Sequence, residues 1–358
     1  GATLKNGLSV LNRIEPMGIN WAAHSSIDPA VYDHRLVNSS MLTIRKAGDY
    51  LVAVTLPMKG KGVRSAQAIE VYVNGQVAPG AISRCAYIRA ASGQEESSAH
   101  LASLLTGLKA NDMIEVMTYK ATHNKVPVEM ETASLYVERV RDSRDVFSGT
   151  ATEAVGGAML NRAEGEAEPG ELALVWKANR TGAAFGHSGE TITLMDEGSY
   201  LVFVNVPLQG NVTHASVGLQ LWLGGYEEGD LAIGGRAQQG YIRNVSNHDK
   251  SSIHFSGLIH TTQANQELVV ETLQLAALGE ITMGNKQASI CIEKADATSG
   301  LFYSTAFNLN ETDDWNPGKK DSVFWEAMEN RIIDKGIYGH SEDGGQDIVI
   351  RKDGSYLL

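Results

Sequence analysis

Histidine and arginine are the side chains of this sequence best suited to chemistry, and they return at regular intervals. An aromatic-x-His triplet occurs as Tyr32/His34, Phe185/His187 and Tyr338/His340, each 153 residues from the next. Ser-Ser-x-His ends on His100 and again on His254, and Tyr-Ile-Arg ends on Arg89 and again on Arg243, both at a spacing of 154. Such histidines could ligate a metal or make polar contacts between adjacent units. A ring hydrogen-bonded at a strand end, repeated because the fold repeats, is the simpler expectation. Zinc needs three or four converging ligands, and no cysteine or second histidine sits at ligand spacing nearby. An arginine on an otherwise apolar strand calls for a carboxylate: Glu115 or Glu138 for Arg89, and Glu271 or Glu293 for Arg243. Acidic clusters at Glu95-Glu96, Glu227-Glu228-Gly229-Asp230, Asp313-Asp314 and Glu342-Asp343 could take loop-bound calcium. None has the Asp-x-Asp-x-Asp-Gly spacing, so solvated turns are expected and no cofactor is implied.

Catalytic patterns are missing. The sequence holds no Gly-x-Ser-x-Gly elbow, phosphate loop, dinucleotide fingerprint or His-Glu-x-x-His. Its 42 acidic residues outweigh 30 basic ones for a net charge of −12, which excludes a protein that grips nucleic acid or anionic membrane through a basic surface. No apolar run approaches the roughly 20 residues that span a bilayer. Cys85 and Cys291 fall in different repeats and read as small buried hydrophobes.

The elements that must carry these residues repeat with them. Gly-x-Tyr-Leu stands at Gly48/Tyr50, Gly198/Tyr200 and Gly354/Tyr356, preceded by Trp21, Trp176 and Trp325. Leu135-Tyr-Val137-Glu138 closes one unit and Ile290-Cys-Ile292-Glu293 the next. The units are therefore about 150 residues long. Within them, Tyr50, Val52, Val54 and Leu56 alternate with a second set, as do Tyr200, Val202, Val204 and Val206, which is the period of strands. Ile69–Val73 runs into Asn74-Gly75 and Leu219–Leu223 into Gly224-Gly225, pairs suited to two-residue hairpins. A weak amphipathic pattern at Ser322–Ile333 is the nearest approach to a helix. About eight short strands in each unit predict an antiparallel sandwich, most simply a jelly roll.

The expected organisation is a leading connector at 1–16, repeat 1 at 17–141, a connector at 142–168, repeat 2 at 169–297, a connector at 298–319 and a partial repeat 3 at 320–358. Trp315, in the last connector, either anchors a neighbouring unit or chain or caps a sandwich end. The start at Gly1 without Met leads us to expect processing or excision from something longer.

The order of Trp-led strand, Ile-x-Ile, Gly-x-Tyr-Leu-Val, Asn-Gly hairpin, Tyr-Ile-Arg and Ser-Ser-x-His resembles the jelly roll of tumour necrosis factor and the complement globular heads, with their bacterial and viral relatives. The resemblance implies trimers or pseudo-trimers that bind through surface loops without catalysis. The expected function is thus a structural protein, extracellular or on a virion surface, whose partners are copies of itself in a fibre, sheath or trimeric array. An incomplete third repeat would be finished by further chain or by strands from another subunit. The alternative is an adhesin module that binds glycan or a surface protein through sandwich-end loops, with Tyr226 and His248 as its candidates. Neither nucleic acid binding nor membrane insertion is expected.

Overall fold

The alternating residues form strands, and no helix occurs among the described residues. The structure, a computed structural model, describes residues 2–3, 15–21, 23–24, 26–35, 40–60, 65–89, 91, 94–120, 128–130, 132–142, 144–155, 157–160, 172–210, 215–225, 229–243, 248–276, 280–295, 302–303, 325, 332–341 and 345–354. The first repeat contains β1 (Ala2–Thr3), β2 (Met17–Gly18), β3 (Ala23–His24), β4 (Tyr32–Asp33), β5 (Met41–Ile44), β6 (Gly48–Gly60) and β7 (Ser65–Val73). It continues with β8 (Gln76–Ile88), β9 (Glu96–Leu108), β10 (Met113–Lys120), β11 (Val128–Met130) and β12 (Ser134–Arg139). The second contains β13 (Val146–Ala151), β14 (Lys177–Thr181), β15 (Phe185–Ser188), β16 (Thr191–Leu194), β17 (Gly198–Gly210) and β18 (Ala215–Leu223). It ends with β19 (Asp230–Ile242), β20 (Lys250–Thr261), β21 (Gln266–Ala276), β22 (Ile281–Thr282) and β23 (Ala288–Ala295). Beyond them lie β24 (Phe302–Tyr303), β25 (Ile332–Ile333), β26 (Tyr338–Gly339) and β27 (Val349–Ile350).

Each repeat is a sandwich of two antiparallel sheets with one topology. In the first, β9, β6, β12, β1 and β3 lie side by side, with β11 extending the line of β12 along β6; the facing sheet runs β4-β5-β10-β7-β8. The second repeats both orders, as β20-β17-β23-β13-β14 with β22 beside β17, and β15-β16-β21-β18-β19. The links β5–β6, β6–β7 and β8–β9 change sheet while β4–β5 and β7–β8 stay within one, which makes a jelly roll. The segment 142–168, read as a connector, supplies β13, an inner member of the second sandwich. A third repeat begins in the same way. Tyr338 pairs Ile350 across β26–β27 as Tyr32 pairs Ile44, and Trp325 bridges Gly345.

The repeated motif residues build the two cores. Tyr50, Val52, Val54 and Leu56 meet Ile69, Val71, Ile114 and Val116 in one, and Tyr200, Val202, Val204 and Val206 meet Leu219, Leu221, Leu268 and Val270 in the other. Trp21 and Trp176 are both buried, at 1% and 3% exposure. In Gly-x-Tyr the tyrosine ring lies in the core edge-on to the aromatic of aromatic-x-His, Tyr32 in one repeat (6.0 Å) and Phe185 in the other (5.7 Å). Its hydroxyl donates back to the carbonyl four residues earlier, Lys46 for Tyr50 and Asp196 for Tyr200 (2.7 Å). The glycine takes a φ of 149° at Gly48 and 133° at Gly198, values that any side chain would strain.

The hairpin after Val73 turns as expected, with Asn74 and Gly75 both at positive φ (51° and 79°). That after Leu223 does not: Gly224-Gly225 only begins a longer connection, since β19 starts at Asp230. At Ser322–Ile333 the described residues are Trp325 in a β-bridge and β25 rather than a helix. Trp315, Tyr356 and Tyr226 lie outside the described residues.

Tyr50→Phe and Tyr200→Phe each remove one buried hydroxyl bond while keeping the ring, and each should cost about 1 kcal/mol. Thermal unfolding checks this. An unchanged midpoint in both variants would leave the ring alone as the reason for the motif.

Candidate functional site

Strand β6 of the first repeat has its expected alternation: Val52, Val54 and Leu56 point into the core and Ala53, Thr55 and Pro57 are half-buried on the other face. The matching strand β17 is buried on both faces, from Val202 to Leu208. What covers its outer face is the first repeat. Leu51, Ala102 and Val140 pack there against Val146, Phe203 and Cys291, with Ala53, Leu104, Tyr136 and Leu201 around them.

The contact is head-to-tail. The first repeat lays β8, the outermost strand of its second sheet, against β17, β20 and β23. Gly80 approaches so closely that a Cβ on it would stand 2.5 Å from the Ser289 Cβ. Ser289 Oγ donates to the Gly80 carbonyl (2.9 Å), and the Arg84 amide donates to Ser252 Oγ (2.9 Å). The repeat equivalents of Gly80, Arg84 and Ser289 lie exposed. Strand β19, the counterpart of β8, leaves Ile233, Gly234, Arg236 and Gln238 exposed. Ser134, the counterpart of Ser289, is exposed as well, whereas Ser289 is 5% exposed.

Equivalent residues meet across this contact. Arg144 binds Glu138 Oε1 at 2.9 Å and Glu293 Oε1 at 3.1 Å, so equivalent carboxylates of the two repeats share one guanidinium. Burial pushes the Glu293 carboxyl up, against the pull of Arg144. Arg180 pairs with Asp49 beside them. At mid-strand, neutral His254 donates from Nδ1 to Asn205 Oδ1 (2.7 Å), and the Asn205 amide donates to the Ala102 carbonyl of the first repeat and to Ser289 Oγ (3.2 Å). His100 stands 3.3 Å from Thr55 Oγ1, the position that Asn205 holds in the second repeat. Burial, with His100 adding to it, pulls His254 down to about 4. Farther along, Tyr87 and Tyr241 meet edge-on at 6.3 Å.

His100 and His254 thus join one contact that sequence spacing alone left open. His187 and His340 instead take local partners, the carbonyls of Gly189 (3.1 Å) and Gly345 (3.3 Å); His34 lies just after β4, partly buried. The carboxylates foreseen for the arginines are engaged elsewhere. Glu115 accepts from Ser40, Glu138 and Glu293 bind Arg144, and Glu271 accepts from Trp222 Nε1 (2.7 Å). Arg89 and Arg243 face a shared cavity instead. Among the described residues, no group of three or more His, Cys, Asp or Glu is placed to hold a metal. The Cys291 thiol is fully buried and pushed up to about 12, so it packs as an apolar group. Sequence reasoning missed Gly80, Arg144, Arg180 and Asn205, and the readable signal was departure from the repeat: Phe203 for Ala53, and Asn205 for Thr55.

Two predictions follow from this contact. Gly80 and Gly234 share a left-handed φ (69° and 70°), so alanine strains both backbones alike. Only Gly80→Ala collides with Ser289, and it should unfold more easily than Gly234→Ala by about 1–3 kcal/mol in denaturant; equal losses would show that the contact yields freely. His254 is held neutral in the folded chain, so its contribution is complete above pH 6.5 and is lost as pH falls toward 4, by about 3 kcal/mol. His100, also lowered by burial, adds in the same direction. Chemical denaturation between pH 7.5 and 4 should show this slope, and His254→Gln should flatten it.

No protein-family model and no curated protein matches the chain. Among solved structures, murine APRIL at pH 8.0 aligns over 43% of this chain and 100% of its own, at 12% identity and a TM-score of 0.30. Melon necrotic spot virus aligns over 71% of this chain and 82% of its own, at 13% identity and a TM-score of 0.15. The CBM22-1–CBM22-2 tandem of Paenibacillus barcinonensis Xyn10C aligns over 79% and 97%, at 9% identity and a TM-score of 0.19. All three are all-β neighbours.

Proposed function

We propose that the chain is a non-enzymatic structural protein, extracellular or on a virion surface, which assembles through its tandem jelly rolls. Its units are the repeats at 17–141 and 169–297, each completed by a strand from the segment before it, β1 and β13, and the third beginning at 320. The observation that carries this reading is the head-to-tail contact with half of its surfaces unused. A contact between unlike surfaces leaves one of each open, here β19 of the second repeat and the part of the first repeat's β6–β12 face around the exposed Ser134. The occupant of that open side is a further copy of the same repeat, from this chain or from another subunit.

The pairing of equivalents favours a ring over an open fibre. Glu138 with Glu293, His100 with His254 and Tyr87 with Tyr241 mark three levels along about 20 Å of strand. Equivalents can stay side by side at every level only when one repeat is rotated onto the next with little shift along the axis. A trimeric array meets that condition.

Sedimentation velocity on residues 1–358 should show self-association that rises with concentration. Ser134→Arg, on an exposed position of the open face, should abolish it without lowering the unfolding midpoint. A wild-type chain that stays monomeric at every concentration would overturn the reading.

A further inference from the structure

A cavity of about 320 Å³, near the lower end of the size range of small-molecule sites, opens between the repeats. Arg84, Arg89, Arg243 and Lys250 line it with Tyr87 and Tyr241. Among the described residues the lining holds four full cations and no carboxylate. Each repeat fixes its arginine by the same loop-closing bond, from the Arg89 amide to the Gln94 carbonyl and from the Arg243 amide to the His248 carbonyl, both 2.9 Å. Among the described residues no ion pair engages Arg89, Arg243 or Lys250. Arg84 is 9% exposed; it donates from one terminal nitrogen to the Tyr119 hydroxyl (3.1 Å), and its buried Nε has no hydrogen-bond partner among the described residues. The connections at 61–64, 89–95, 211–214 and 243–249 carry only Glu95 and Asp249 as acids, and neither lines the cavity.

Four like charges gathered in one recess repel one another and weaken the contact that gathers them, unless an anion lies among them. On a chain of net charge −12 such a gathering is not a by-product of composition. Guanidinium groups match the paired oxygens of carboxylate, sulfate and phosphate. The tyrosine rings add apolar faces of the kind that pack on a sugar ring, and His248 stands edge-on to Tyr87 at 5.5 Å. We propose that this cavity binds the oxyanion of a small acidic ligand, with Arg84, Arg89 and Arg243 as its receptors and the tyrosines seating the carrier. The proposal needs only the first two repeats and does not depend on any larger assembly.

Isothermal titration calorimetry on residues 1–358 with inorganic sulfate, inorganic phosphate, D-glucuronate and neutral glucose tests it. Binding of the anions, weakened by added sodium chloride, is expected; glucose should not bind. Glucuronate tighter than the inorganic ions would identify an acidic sugar, and equal affinities a free oxyanion. Arg89→Gln/Arg243→Gln should weaken binding about tenfold or more, while Arg45→Gln, in a surface ion pair with Asp33, should leave it unchanged. Lys250→Gln gives an independent variant should the double change impair folding. Failure of every anion to bind, equal binding by glucose, or affinity unaltered in a folded double variant or in Lys250→Gln would overturn the proposal.

Discussion

Burial of the second repeat's inner sheet on both faces is the constraint from which the rest of the molecule follows. A sandwich sheet ordinarily shows one face to water and alternates apolar with polar residues. Strand β6 keeps that pattern, but β17 has Phe203 and Asn205 on its outer face, buried beneath the first repeat. The contact is demanding because it also buries Ser289, Ser252 and most of the surface around His254. Each of these finds a partner. Asn205 ties His254 to the Ala102 carbonyl, Ser289 reaches the Gly80 carbonyl, and Ser252 receives the Arg84 amide. Polar groups so enclosed would each cost about 1–3 kcal/mol if left unpaired. They therefore fix the mutual placement of the repeats as well as their adhesion.

The ion set beyond this centre has the same logic. Glu138 and Glu293 occupy equivalent positions, so packing their repeats together brings like charges side by side. Arg144 comes from the link between the repeats, shortly after β12, which carries Glu138, and it stands between the two carboxylates and pairs with both. Arg180 reaches back from β14 to Asp49 and to the Arg144 carbonyl (3.2 Å). The link is thus part of the contact and does more than tether two independent sandwiches. Lys286 in the second repeat likewise meets Glu70 in the first, a carboxylate 3% exposed that also accepts from Tyr119 (3.0 Å).

What the repeats share was legible in the sequence, because a fold written twice announces its invariant positions. The Gly-x-Tyr motif and the aromatic that packs on its ring reappear in the same arrangement in both sandwiches, and Trp21 and Trp176 are buried in both. The Asn74-Gly75 hairpin was readable because both residues accept positive φ, whereas Gly224-Gly225 misled because glycines permit a turn without setting its length. The contact between repeats was hidden for a different reason. Alignment of repeats directs attention to what they have in common, and a head-to-tail contact uses what differs: Ile82 and Arg84 lie buried where Arg236 and Gln238 lie exposed. The arginines of Tyr-Ile-Arg were expected to pair within their own repeat, an inference blind to the second repeat standing beside the first.

Conserved placement and charge then pull in opposite directions at the far end of the contact. Tyr87 and Tyr241 gain from meeting edge-on, since their rings are apolar and their quadrupoles complementary. Two residues later, the same rotation carries Arg89 toward the site of Arg243, where the charges oppose each other. At the other end, the corresponding conflict between Glu138 and Glu293 is resolved within the chain by Arg144. At the arginine end no described residue of opposite charge stands in the lining, although acidic residues outnumber basic ones 42 to 30. The two ends of one contact thus treat the same electrostatic problem differently: one is closed by an internal counter-ion, and the other keeps a recess in which a counter-ion from solution fits.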